Sequence, residues 1–175
     1  MLAILMGALL AMDIFNPAKT GKPFEVQELF IDIKKILLAT DGSKSAINAT
    51  RYAVALAKVF NAKVRAIFVD NTSESQSQPK ITEDTAKEGI SNTFNGRIGL
   101  SVAKEYSLKN NVEYDEKVVT GHVSKKIIES SREFSPDLII IGNSEKSGIR
   151  RSLGSVADAV MKGTDIPVLV IASER

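Results

Sequence analysis

Cysteine is absent from this 175-residue chain. That excludes a disulfide framework, a thiolate nucleophile and any zinc site built on cysteine, and it fits a cytoplasmic protein. Histidine is nearly absent: His122 stands alone, so a multi-histidine metal site is excluded and a Ser-His-Asp triad has one candidate base. Charge of one sign is also lacking. Lys plus Arg number 23 against 21 Asp plus Glu, a net +2, with no basic run of five or more, so no nucleic-acid surface is expected. Finally, no apolar run approaches the ~20 residues of a membrane span. The opening "MLAILMGALLAM" is too short for one. No Lys or Arg precedes Leu2, and "LLAMD" is a poor cleavage site, which argues against a secretory signal. It is expected to be an apolar arm packing on the domain or on a partner, or an over-extended start with Met12 as the alternative beginning.

What is present is ordinary for a soluble globular domain: 43% hydrophobic and 25% charged residues, in a length that buries about 70% of the unfolded surface. "NPAKTGKP" (Asn16 to Pro23) reads as a linker. "FEVQELFIDI" (Phe24 to Ile33) stays open between a short helix and an extended arm. Residues 1–33 are therefore expected to be arm and linker, and 34–175 the folded domain.

Within that domain strands and helices alternate. "KKILLAT" (Lys34 to Thr40) is an apolar run of strand length stopped by "DGS". "SAINATRYAVALAKVF" follows, with Ala46, Ala49, Ala53, Leu56, Ala57 and Phe60 at helical spacing. "AKVRAIFVD" is a second strand, and the polar stretch Asn71 to Lys80 a loop. A helix is expected over about Thr82 to Lys109, weakened at Gly89, Gly96 and Gly99 by about 1 kcal/mol each relative to alanine. "VEYDEKVVT" reads as an edge strand, "VSKKIIESSREF" as a helix, "DLIIIG" as a buried strand, "SVADAVMKG" as a helix and "IPVLVIA" as a last strand. This alternation predicts an α/β fold, a parallel sheet with helices on both faces. Ligands of such sheets sit beyond the carboxyl ends of the strands, where strand order reverses.

Three features fall at those ends. Asp41, in "ATDGS", can accept hydrogen bonds from a ribose or an adenine amine, or serve the start of the next helix. "GNSEKSGIRRSLGS" (Gly142 to Ser155) combines a glycine turn, the basic residues Lys146, Arg150 and Arg151, and a Gly-Ser helix start. It reads either as an anion site or as a plain β–α loop. It contains neither a Walker sequence nor G-x-G-x-x-G. His122 is expected to serve a hydrogen-bonding or capping role rather than catalysis.

Three blocks, "KKILLATDGSKSAINATRYAVALAK", "GHVSKKIIESSREFSPDLIIIGNS" and "LGSVADAVMKGTDIPVLVI", resemble the universal stress protein family over about Lys34 to Ala172. The resemblance implies a flavodoxin-like, Rossmann-like sheet of five parallel strands in the order 3-2-1-4-5. It implies a nucleotide crevice with contacts from Ala39, Thr40 and Asp41, from Phe68 and Val69, and from Gly142, Asn143, Gly154, Ser155 and Val156. The family's phosphate loop reads Gly, two residues, Gly, nine residues, Gly-Ser/Thr. Here Glu145 replaces the second glycine and the loop is one residue short, with Gly148 as a shifted substitute. The resemblance also implies a homodimer through the last strand, at Val168, Val170 and Ile171. The expected function is a stress-response or signalling protein with an adenine-nucleotide crevice, binding AMP or ATP weakly. The alternatives are a dimeric interaction protein without nucleotide and a slow nucleotide hydrolase. No nucleophile, base or metal set converges in the sequence, so an enzyme is not expected.

Overall fold

Strands that are apolar on both faces must be covered on both faces, and the central strand of this chain shows the pattern directly. The computed structural model describes residues 31–71, 83–143 and 153–172. In order, the elements are β1 (Lys35–Ala39), α1 (Lys44–Phe60), β2 (Lys63–Asp70), α2 (Glu83–Lys109), β3 (Tyr114–Thr120), α3 (Val123–Phe134), β4 (Leu138–Asn143), α4 (Ser155–Gly163) and β5 (Val168–Ala172). All neighbouring strands are parallel, in the order β3-β2-β1-β4-β5. This is the expected flavodoxin-like sheet.

Alternation of side chains along each strand divides the core into two layers. Ile36, Leu38, Val64, Ala66, Phe68 and Ile140 face α1 and α2, where Ala53, Val54, Leu100 and Ala103 meet them. Leu37, Ile67, Ile139 and Ile141 face α3 and α4, against Ile127, Phe134, Ala157 and Val160. Ile36, Leu37 and Leu38 are completely buried, as a strand sandwiched between helices requires. In α1, Ala49, Ala53 and Ala57 face the sheet, and their small side chains let the helix lie close. The helix ends at Asn61, in the left-handed conformation (φ 52°), whose N–H reaches the Ala57 carbonyl.

The starts of β1 and β4 are held together by one side chain. The Asp137 carboxylate accepts from the backbone N–H groups of Lys34 (2.8 Å) and Lys35 (2.9 Å). The expected polar-apolar alternation of β3 matches its place at a sheet edge, where Glu116, Val118 and Thr120 are exposed. The last strand begins at Val168, two residues later than the apolar run, after Pro167, which has no N–H to donate to a ladder. Of the expected arm and linker over residues 1–33, residues 1–30 lie outside the described residues, as do residues 72–82 after Asn71. Among the described residues no helix is long and apolar enough to cross a membrane.

Candidate functional site

Three strand ends and the helix starts that follow them converge on one crevice. At the end of β1 the chain turns through Asp41, Gly42 and Ser43. Asp41 Oδ1 accepts from the Ser43 N–H (2.9 Å), and Ser43 Oγ in turn accepts from the Ala46 N–H (3.3 Å), capping α1. Of the two roles open to Asp41 in the sequence, the cap therefore falls to Ser43. Asp41 braces the turn with one oxygen and remains exposed on the crevice. Gly42 carries a positive φ of 74°, a conformation that glycine adopts without strain.

The crevice encloses about 440 Å³, within the range of small-molecule sites. Its lining includes Ala39, Thr40 and Asp41 from the β1 end, and Ile67, Phe68, Val69 and Asn71 from the β2 end. Ile141 and Gly142 come from β4, while Ser43, Ala46, Val123, Ile127, Ser155 and Val156 come from the starts of α1, α3 and α4. Three helix N-termini thus face one cavity, and the positive ends of their dipoles favour an anion. Lys, Arg and His are absent from the described lining, and Asp41 is its one ionisable group. His122 stands at the N-cap position of α3 without a capping side-chain bond. Its Nδ1 lies 3.2 Å from Ser124 Oγ instead.

Gly142 has a packing role that sequence reasoning missed. A Cβ there would stand 2.5 Å from the Ser45 carbonyl carbon and 2.6 Å from the Ala46 nitrogen. Only glycine lets β4 pass the first turn of α1, whatever the cavity holds. Next to it, Asn143 Oδ1 accepts from the Gly154 N–H (2.9 Å). One amide at the start of α4 is therefore already satisfied from within the chain.

Among the residues expected from sequence, Ala39, Thr40, Asp41, Phe68, Val69, Gly142, Ser155 and Val156 come together on the crevice. Asn143 and Gly154 lie beside it, bonded to each other. Glu145, Lys146, Gly148, Arg150 and Arg151 lie outside the described residues. The sequence reading passed over Asn92 and Asn95 of α2, which also line the cavity. The signal available for them was faint: two polar, helix-disfavouring residues beside Gly96 and Gly99.

The sequence profile of the universal stress protein family matches residues 32–172. The chain belongs to the universal stress protein family. A universal stress protein of Methanocaldococcus jannaschii is 32% identical over 148 residues, which span 81% of this chain and 84% of that protein. Two solved universal stress proteins share the fold at lower identity. One, from Archaeoglobus fulgidus in complex with dAMP, superposes with a TM-score of 0.56 at 21% identity, over 81% of this chain and 99% of that one. The other, from Arabidopsis thaliana with AMP bound, gives 0.58 at 16% identity, over 81% and 92%. The universal stress protein domain therefore accounts for every described strand and helix, from β1 to β5.

Proposed function

We propose that this universal stress protein is a stress-response or signalling protein that binds an adenine nucleotide in the crevice, and AMP or adenosine at least as well as ATP. The observation that carries the reading is the convergence of Asp41, the β2 end and the α1 and α4 starts on one cavity at the switch point between β1 and β4. That the related proteins hold dAMP and AMP supports the class of ligand. Two features count against tight triphosphate binding. The Gly154 N–H is engaged by Asn143, which removes a donor from the phosphate end. Glu145 places a carboxylate where the family pattern has glycine. A carboxylate held about 4 Å from a phosphate charge is repelled by ~4 kcal/mol at an effective dielectric of 20. Lys146, Arg150 and Arg151 are the residues that would offset it.

Calorimetry with AMP and ATP tests the reading. AMP is expected to bind at least as well as ATP, and Glu145→Gly to raise ATP affinity. Asp41→Ala is expected to weaken AMP by roughly 1.5–3 kcal/mol, as loss of a charge-assisted hydrogen bond does. Tight ATP binding by the unmodified chain, unmoved by Glu145→Gly, would make Gly148 a working replacement and sink the altered-loop reading. The engaged Gly154 N–H also suits the second reading, a dimeric interaction protein with no nucleotide. Native mass spectrometry of freshly purified protein separates the two, since a co-purified nucleotide adds its own mass.

A further inference from the structure

One wall of the crevice is a helix seated on it by its backbone. Gly96 of α2 lies against the Phe68 ring, with no room for a Cβ. One turn on, Gly99 lies against Thr40 Oγ1, and a Cβ there would stand 2.8 Å from the Gly42 nitrogen. The Asn95 carbonyl in turn fills the space a Cβ on Gly42 would need. At the amino-terminal side of these contacts, Thr93 Oγ1 donates to the Asp70 carboxylate at the end of β2 (3.2 Å). The stretch 93–99 is thus fixed to β2 and to the β1–α1 turn at four points. Asn92 and Asn95, three residues apart and so on one helix face, line the cavity. Neither side chain has a hydrogen-bond partner among the described residues.

Asparagine is a poor helix former because its amide competes for the backbone. A merely solvated face would be served as well by lysine, glutamate or glutamine, which favour the helix. Two asparagines on the one face that meets the cavity, held there by glycine contacts, are better explained by what an amide does. It presents a donor and an acceptor side by side, matching the N6–H and N7 of adenine, whereas guanine offers two acceptors at that edge. Resting on the nucleotide reading above, we propose that Asn92 and Asn95 read the edge of the base and set the preference for adenine over guanine.

The test is calorimetry of AMP and GMP with the full chain and its Asn92→Ala and Asn95→Ala variants. Alanine favours the helix, so both variants are expected to fold, and thermal melting checks it. The unmodified chain is expected to prefer AMP. Losing an amide that contacts the base should weaken AMP about five- to tenfold, with a smaller effect on GMP, so the preference narrows. If AMP binds the unmodified chain and both variants alike, with the same ratio to GMP, the asparagines do not read the base and the nucleotide reading survives. If the unmodified chain binds no AMP, both readings fall.

Discussion

Gly99 illustrates how one residue can be valued with opposite signs by sequence and by structure. Inside a 27-residue helix it is a cost, and replacement by alanine should gain about 1 kcal/mol in propensity. In the folded protein a methyl group there meets Thr40 and the Gly42 backbone, which belongs to a turn that cannot yield without moving Asp41. Overpacking of this kind costs about 1–3 kcal/mol. Gly99→Ala is therefore expected to destabilise the fold by about 1 kcal/mol net, read from urea unfolding. A stabilised variant would show that α2 does not rest on the β1–α1 turn. Gly142→Ala, beside the first turn of α1, should behave in the same direction for the same reason.

At the scale of elements, β2 and β3 are joined by ion pairs, and Arg65 ties them to α3 through the Phe134 ring. Arg65 meets Asp115 with two hydrogen bonds (2.6 and 2.9 Å) and lies 4.3 Å from the centre of the Phe134 ring. Lys63 bridges Asp115 and Glu113, each at 3.0 Å. The hydrogen bond from Arg65, ahead of that from Lys63, holds the Asp115 carboxyl below its ordinary range, against partial burial that raises it. A depressed folded pKa contributes stability above the unfolded value of about 3.9, and that contribution is lost as pH falls through the folded value. Asp115→Asn should thus cost about 1 kcal/mol near neutral pH, a figure kept small because the pair is partly exposed. The gap between variant and unmodified chain should close as the pH is lowered below 4. A gap that persists in strong acid would assign the cost to packing instead. Strands such as KILLA and LIIIGN were legible in the sequence because burial on both faces leaves an unbroken apolar run. So were the turn at Asp41 and the first glycine of the loop. The wall built by α2 was not. Its meaning depends on Phe68, Thr40 and Gly42, which lie distant in sequence, and spacing along one helix carries no record of what that helix touches.

Considered as a whole, the molecule has a sheet with two unlike margins. β3 carries Asp115, Glu116 and Lys117 along its length, charges that discourage pairing with another chain. β5 carries Val168, Leu169, Val170 and Ile171, of which only Ile171 is buried, and it pairs only with β4 among the described residues. We propose that β5 joins a second copy as a homodimer. Val170→Lys is expected to give a monomer in sedimentation velocity, or insoluble protein, where the unmodified chain sediments as a dimer. A dimer that survives the substitution would place the contact elsewhere.

That difference between the margins also bears on how far such association could go. A sheet with two receptive edges can add subunits at either end without limit, and its natural product is a fibre. With a charged β3 on one side, pairing through β5 around a two-fold axis uses up the receptive edge of both copies at once. What remains outward on either side is the edge that carries the charges, so the assembly is finite by symmetry and its mass should stop rising with concentration once it has doubled.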